Sequence, residues 1–113
     1  MDVLELERGV VDGAVPEQVV VLHGRLTVGS VAAVREQLHS GLGAGTGDLV
    51  VDLSAVTACD ASALAVLVSV HRLAGARGRR LVLTRVPPAV ARPLLRSRLH
   101  RALHLVGRAP AAP

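Results

Sequence analysis

The sequence predicts an α/β domain, a mixed β-sheet with helices packed mainly on one face. Three observations carry this. Val19-Val20-Val21-Leu22, Leu49-Val50-Val51-Asp52-Leu53 and Arg80-Leu81-Val82-Leu83-Thr84 are short, nearly continuous apolar runs, the pattern of strands covered on both faces. Between them lie stretches whose apolar residues recur at helical spacing, bounded by Gly, Pro and Ser. Strand and helix alternate, and that order packs helices on a sheet through right-handed crossovers.

Taken in order, residues 3–6 read as a first strand, with a turn near Asp12-Gly13 and an entry fixed by Pro16. The run from Val19 to Leu22 follows and is ended by Gly24. Ser30 is placed to cap a helix with Val31, Val34, Leu38 and Leu42 on one side. Gly41, Gly43, Gly45 and Gly47 stop that helix. Their order, helix before strand, is the reverse of a phosphate-cradling loop, which argues against nucleotide binding there. After the second strand a turn from Thr57 to Asp60 leads to a helix over residues 61–74, closed by Gly75 and Gly78. The third strand is followed by Pro87-Pro88, which opens a short helix that Pro93 should kink or shorten. Residues 102–106 read as either a strand or a helix, and 107–113 as a flexible tail.

A chain of 113 residues makes one domain, with its core over about residues 3–106. Half the residues are apolar but none is aromatic, so Leu, Val and Ala must fill the core. That composition excludes disorder, and the lone Cys59 excludes a disulfide scaffold. The start, Met1-Asp2-Val3-Leu4-Glu5, is acidic where a secretory signal is basic. The densest apolar run, residues 61–70, is half of what a membrane helix needs, so a cytoplasmic protein without membrane insertion is expected. Charge is segregated: residues 1–60 hold nine acids against three arginines, net −6, and residues 61–113 hold ten arginines and no acid, net +10. The basic half lacks aromatics for base stacking and any helix-turn-helix or zinc pattern, which favours an acidic protein partner over nucleic acid. His100 and His104 have a helical metal-ligand spacing but no Cys or carboxylate nearby in sequence, so no metal or other cofactor is expected. Nor can a nucleophile, base and orienting group be assembled, which argues against an enzyme.

The strand from Val19 with Gly24-Arg25-Leu26, the second strand running into Ser54-Ala55-Val56-Thr57-Ala58-Cys59-Asp60-Ala61-Ser62-Ala63-Leu64, and Pro88-Ala89-Val90 resemble the STAS domain of bacterial anti-sigma factor antagonists. The resemblance covers nearly the whole chain. It implies the STAS fold and a binding role in partner switching, with an anti-sigma factor or kinase-like protein as partner. In that family the helix-start motif is Asp-Ser-Ser/Thr-Gly-Leu, and phosphorylation of its first Ser releases the partner. Here Asp60 matches the motif Asp, Ala61 stands at the acceptor, Ser62 at the second hydroxyl and Ala63 at the glycine. Thr27 stands where phosphorylated members often carry Asp. The usual phosphoserine switch is therefore expected to be missing. The alternative is a non-phosphorylated STAS scaffold, or an accessory subunit of a lipid-transport permease or signalling complex.

Ser62 is the candidate substitute phosphosite; its hydroxyl could equally satisfy a backbone group at the helix start. Asp60 reads as that helix's N-cap. At 100° per residue, Leu64, Leu67, His71 and Ala74, with Ala63 and Val70, form the core side. Ser62, Val66, Ser69 and Leu73 fall opposite, and with Asp60 and Ala61 make the expected partner-binding surface. Cys59 reads as a small buried hydrophobe. A monomer or a weak homodimer is expected, since opposite charges in the two halves could pair head to tail.

Overall fold

The computed structural model describes residues 18–45 and 47–106. In order these are β1 (Gln18–Leu26), α1 (Val31–Gly43), β2 (Leu49–Cys59), α2 (Ala61–Ala76), β3 (Leu81–Thr84), α3 (Pro88–Ser97), a 3-10 turn (Leu99–Arg101) and β4 (His104–Val106). The strands lie in the order β1-β2-β3-β4, and every described pair is parallel. Sequential order with right-handed crossovers puts the helices on one face, as expected. The strand read over residues 3–6, the turn at Asp12-Gly13, the entry at Pro16 and the tail over 107–113 lie outside the described residues.

Between that face and the helices sits an aliphatic core. Val20, Leu22, Leu49, Val51, Leu53, Leu81 and Leu83 come up from the strands, and Leu38, Leu67, Val70 and Leu94 down from the helices. Gly41, expected to stop α1, lies inside it instead. A Cβ there would stand 2.9 Å from both a Leu49 methyl and a Val20 methyl, so the glycine lets the last turn of α1 approach the sheet. Arg79, which the sequence did not single out, caps that turn from the α2–β3 connection. Its Nε donates to the Gly47 carbonyl at 2.7 Å and its Nη1 to the carbonyls of Leu42 and, at 3.4 Å, Gly41. A helix leaves its last carbonyls without intrahelical partners, and a buried guanidinium satisfies them while matching the helix dipole.

Two other boundaries differ from expectation. Gly24 does not end β1; it takes φ +81° within the strand. Nor is there a turn from Thr57 to Asp60, because β2 runs on to Cys59. Both differences follow from two bulges. The register passes from Val21↔Asp52 to His23↔Ala55, and from Gly24↔Val56 to Arg25↔Ala58, so each time β2 spends one residue more than β1. Asp52 steadies the first by accepting the Ser54 N–H at 2.8 Å. Among the described residues β3 pairs only as far as Asp52, so the remainder of β2 and the end of β1 form a two-stranded ribbon projecting from the sheet.

Pro93 does not end α3, which continues to Ser97, whose hydroxyl donates to the Pro93 carbonyl at 2.7 Å. Of the two readings open for residues 102–106, the strand is the one found.

Candidate functional site

The projecting ribbon ends in two neighbouring connections, residues 27–30 from β1 and Asp60 from β2. Both lie at the carboxyl ends of parallel strands, where open α/β sheets bind their ligands. Asp60 joins them. Its backbone N–H donates to the Leu26 carbonyl at 3.0 Å, and its Oδ2 accepts the Val28 N–H at 2.9 Å. Its Oδ1 caps α2 by accepting the Ala63 N–H at 3.1 Å and also takes the Ser62 hydroxyl at 2.6 Å. The Ser62 hydroxyl, then the Ala63 N–H, hold this carboxyl below the usual carboxylate range, against a smaller opposing effect of burial, with Val28 also lowering it. The N-cap reading of Asp60 is correct. The hydroxyl of Ser62 is bound to a side chain rather than to the backbone.

The first connection is also tied internally. Ser30 occupies the N-cap position of α1 but makes no side-chain cap. Its hydroxyl turns back, accepting the Thr27 N–H at 3.0 Å and donating to the Arg25 carbonyl at 2.8 Å. The turn this creates carries Val28 at its tip, 75% exposed. Sequence reasoning missed Val28. Its available signal was a β-branched aliphatic residue flanked by Thr27 and Gly29 in a turn.

The expected docking stripe on α2 needs correction. Val66 is only 3% exposed and belongs to the core, and Leu73 is half-buried against it. The reason is that α2 packs on α1 as well as on the sheet, so its buried surface is wider than one face and takes in the flank that carries Val66, 100° round from Leu67. Before its last turn the exposed positions are Ala61, Ala65, Ser69 and Arg72, on the side away from Leu67. Ser62 is half-buried at their edge. Of the six expected surface residues, Ala61 and Ser69 are exposed, Asp60 and Ser62 line the rim, and Val66 and Leu73 face inward. Val28 and Ala65 are exposed apolar groups beside them.

Cys59 sits beneath this rim. Partial burial, with Asp60 adding to it, pushes the thiol from 9.0 up to about 11, so it is neutral at physiological pH; Cys59 packs against the core but is half-buried rather than fully buried as expected. A shallow cleft of about 440 Å³ opens beside it between the start of α2 and α3, lined by Ala61, Leu64, Pro93, Arg96 and Ser97. His100 and His104 do not share a helix face: one is in the 3-10 turn and the other in β4. His104 instead meets His71 of α2 edge to face, ring centroids 5.2 Å apart. Among the described residues no three His, Cys, Asp or Glu side chains converge as a metal site, and no helix is long and apolar enough to cross a membrane.

Comparison with known proteins places this geometry. A family model described as Mlab, STAS domain, matches residues 10–107. A variant of RsbS from Moorella thermoacetica, with a serine replaced by glutamate, superposes with a TM-score of 0.63 at 33% identity, over 81% of this chain and 80% of that one. A Thermotoga maritima protein named as a candidate anti-sigma factor antagonist superposes with a TM-score of 0.69 at 21% identity, over 80% of each chain. No curated protein sequence matches.

Proposed function

The chain belongs to the STAS domain family, and from that premise we propose that it is a regulatory protein-binding module, an anti-sigma factor antagonist acting in the cytoplasm on an anti-sigma factor or kinase-like partner. It works by binding and makes or breaks no bond in a substrate. One observation carries the reading: Asp60 locks an exposed aliphatic tip, Val28, beside the exposed start of α2, so that Val28, Ala61, Ala65 and Ser69 present a preset surface. Flat, small side chains around one protruding aliphatic group allow close approach by a partner, and little ordering entropy is lost because the rim is already fixed.

With Ala61 at the acceptor position, the family's phosphate switch has no hydroxyl to act on, and the protein stays binding-competent. Control through Ser62 would work differently. Phosphate there adds about −1.5 to −2 charges next to the Asp60 carboxylate, in place of a hydroxyl that now donates to it. Repulsion would loosen Asp60 from Val28 and disorder the surface.

A second reading, an accessory subunit of a lipid-transport permease, is supported by the missing acceptor at Ala61, since a permanent subunit needs no release switch. Calorimetric titration against kinase-like anti-sigma candidates from the same genome, and co-purification with a permease, separate the two. On the first reading, Val28→Asp and Ala65→Arg each weaken binding at least about tenfold, a loss of about 1.4 kcal/mol, with unfolding unchanged. Unaltered binding in both variants would overturn the surface. Incubation with the partner and ATP followed by mass analysis decides Ser62: stoichiometric phosphate there would overturn the permanently competent state.

A further inference from the structure

A cluster of exposed arginines borders that surface. Within ten residues, α3 and the 3-10 turn carry Arg92, Arg96, Arg98 and Arg101, all exposed. Arg92 and Arg96 are one helical turn apart and share a face of α3. Arg98 closes the helix in the left-handed conformation, φ +61°, and the turn it starts ends in Arg101. The corner is held in place. The Ala102 N–H donates to the Leu99 carbonyl at 2.9 Å, His100 Nδ1 lies 3.4 Å from the Leu94 carbonyl, and Leu99 packs on the core.

None of the four guanidinium groups has a carboxylate within ion-pair distance among the described residues. The described acids are committed elsewhere or distant in the fold: Asp48 pairs with Arg80 at 2.7 Å, Asp52 is buried near Arg85, Asp60 ties the rim, and Glu36 lies on α1. Four like charges on a fixed corner repel one another at the separations that salt does not screen, about 8 Å or less at physiological ionic strength. A partner's anionic groups would relieve that repulsion.

We propose that α3 and the 3-10 turn form a second docking surface, one that takes an acidic segment of a protein partner, with an aliphatic side chain of that segment seated in the cleft between Arg96 and Ala61. The inference stands on charge and on the cleft; it meets the Val28 surface at Ala61 but does not require a partner to be bound there. Guanidinium groups suit carboxylates because they bind them bidentately. Among the described residues the large exposed hydrophobics are Val21 and Val28, neither on this corner, so no apolar group protrudes there to enter a bilayer. The chain has no aromatic residue to stack on bases, and the cleft, lined by Leu64, Pro93 and Cys59, calls for an aliphatic group rather than a sugar-phosphate backbone.

The test uses ¹⁵N-labelled full-length protein and a 12-residue Glu-rich peptide with one central leucine. Amide shifts should concentrate on residues 92–101 and Ala61, with affinity falling as salt is raised from 50 to 300 mM. The triple variant R92E/R96E/R101E should bind at least tenfold more weakly. R25E/R35E/R77E, with the same change in net charge at exposed sites elsewhere, should bind within twofold of the unaltered protein, both variants keeping native circular dichroism. Equal loss in both variants would reduce the effect to net charge and overturn the proposal. So would the absence of peptide binding at 50 mM salt, or tighter binding to phosphatidylglycerol vesicles or a 20-base-pair DNA duplex than to the peptide.

Discussion

Removing the Arg79 side chain tests how far the fold depends on one buried cation. In Arg79→Ala the Gly47 and Leu42 carbonyls lose their guanidinium donor, while Gly41 keeps the Ala44 N–H at 3.2 Å. Two charge-assisted bonds at about 1.5–3 kcal/mol each give an upper range of about 3–6 kcal/mol. Water reaching the vacated space would recover part of this, so a loss of about 3 kcal/mol is expected. Against a typical total of about 5–15 kcal/mol this is a large fraction, equivalent to a fall in Tm of about 12 °C at about 4 °C per kcal/mol. Urea unfolding followed by circular dichroism should show the midpoint shifted with the slope unchanged. Arg79→Lys keeps the charge but not the planar fork, and should recover about half the loss. A midpoint for Arg79→Ala within 1 kcal/mol of the parent, or full recovery by lysine, would refute the capping argument.

Gly41→Ala sets helix propensity, a gain of about 1 kcal/mol, against overpacking, a cost of about 1–3 kcal/mol. Because the new methyl would meet two core side chains at 2.9 Å, a net loss of about 1 kcal/mol is expected in the same unfolding assay. Burial first, then His104 and Arg72, lower the pKa of His71 below 6.5. Protonation therefore favours the unfolded chain. The stability His71 allows is complete above about pH 6.5 and declines as pH falls through the folded value, so Tm should drop between pH 7.5 and 5, and drop less in His71→Gln. A thiol moved from 9.0 to about 11 has about a hundredfold less thiolate, so iodoacetamide at pH 7.5 should label Cys59 about a hundred times more slowly in the native protein than in urea.

The layers of this fold were legible because they depend on local pattern. Val19 to Leu22, Leu49 to Leu53 and Leu81 to Leu83 read as strands from composition alone, and Asp60 as a cap from its place before an apolar run. What the sequence hid depends on pairing. Gly24 and the stretch after Leu53 looked like ends because a bulge has no signature in one strand; it exists only relative to its neighbour. Val66 looked exposed because a helical wheel has one buried side, whereas α2 has two neighbours at an angle, the sheet and α1. The helix-start motif located the rim correctly, yet Val28 enters it through a backbone contact across 32 residues of sequence, which side-chain identity cannot reveal. Arg79 was invisible for the same reason, since its partners are carbonyl oxygens that every residue has.

The two surplus residues in β2 set the phase of everything downstream of them. Side chains alternate along a strand, yet Leu53 and Val56, three positions apart, are both buried, because the extra residue between them lets β2 resume its alternation with its apolar side still on the core. A change of length in this stretch is therefore felt twice, by Leu26, Leu53 and Val56, which the stretch keeps buried, and by the carboxylate at position 60, which it carries to the rim. On this scaffold the aim of the binding edge and the packing beneath it are set by the same two irregularities.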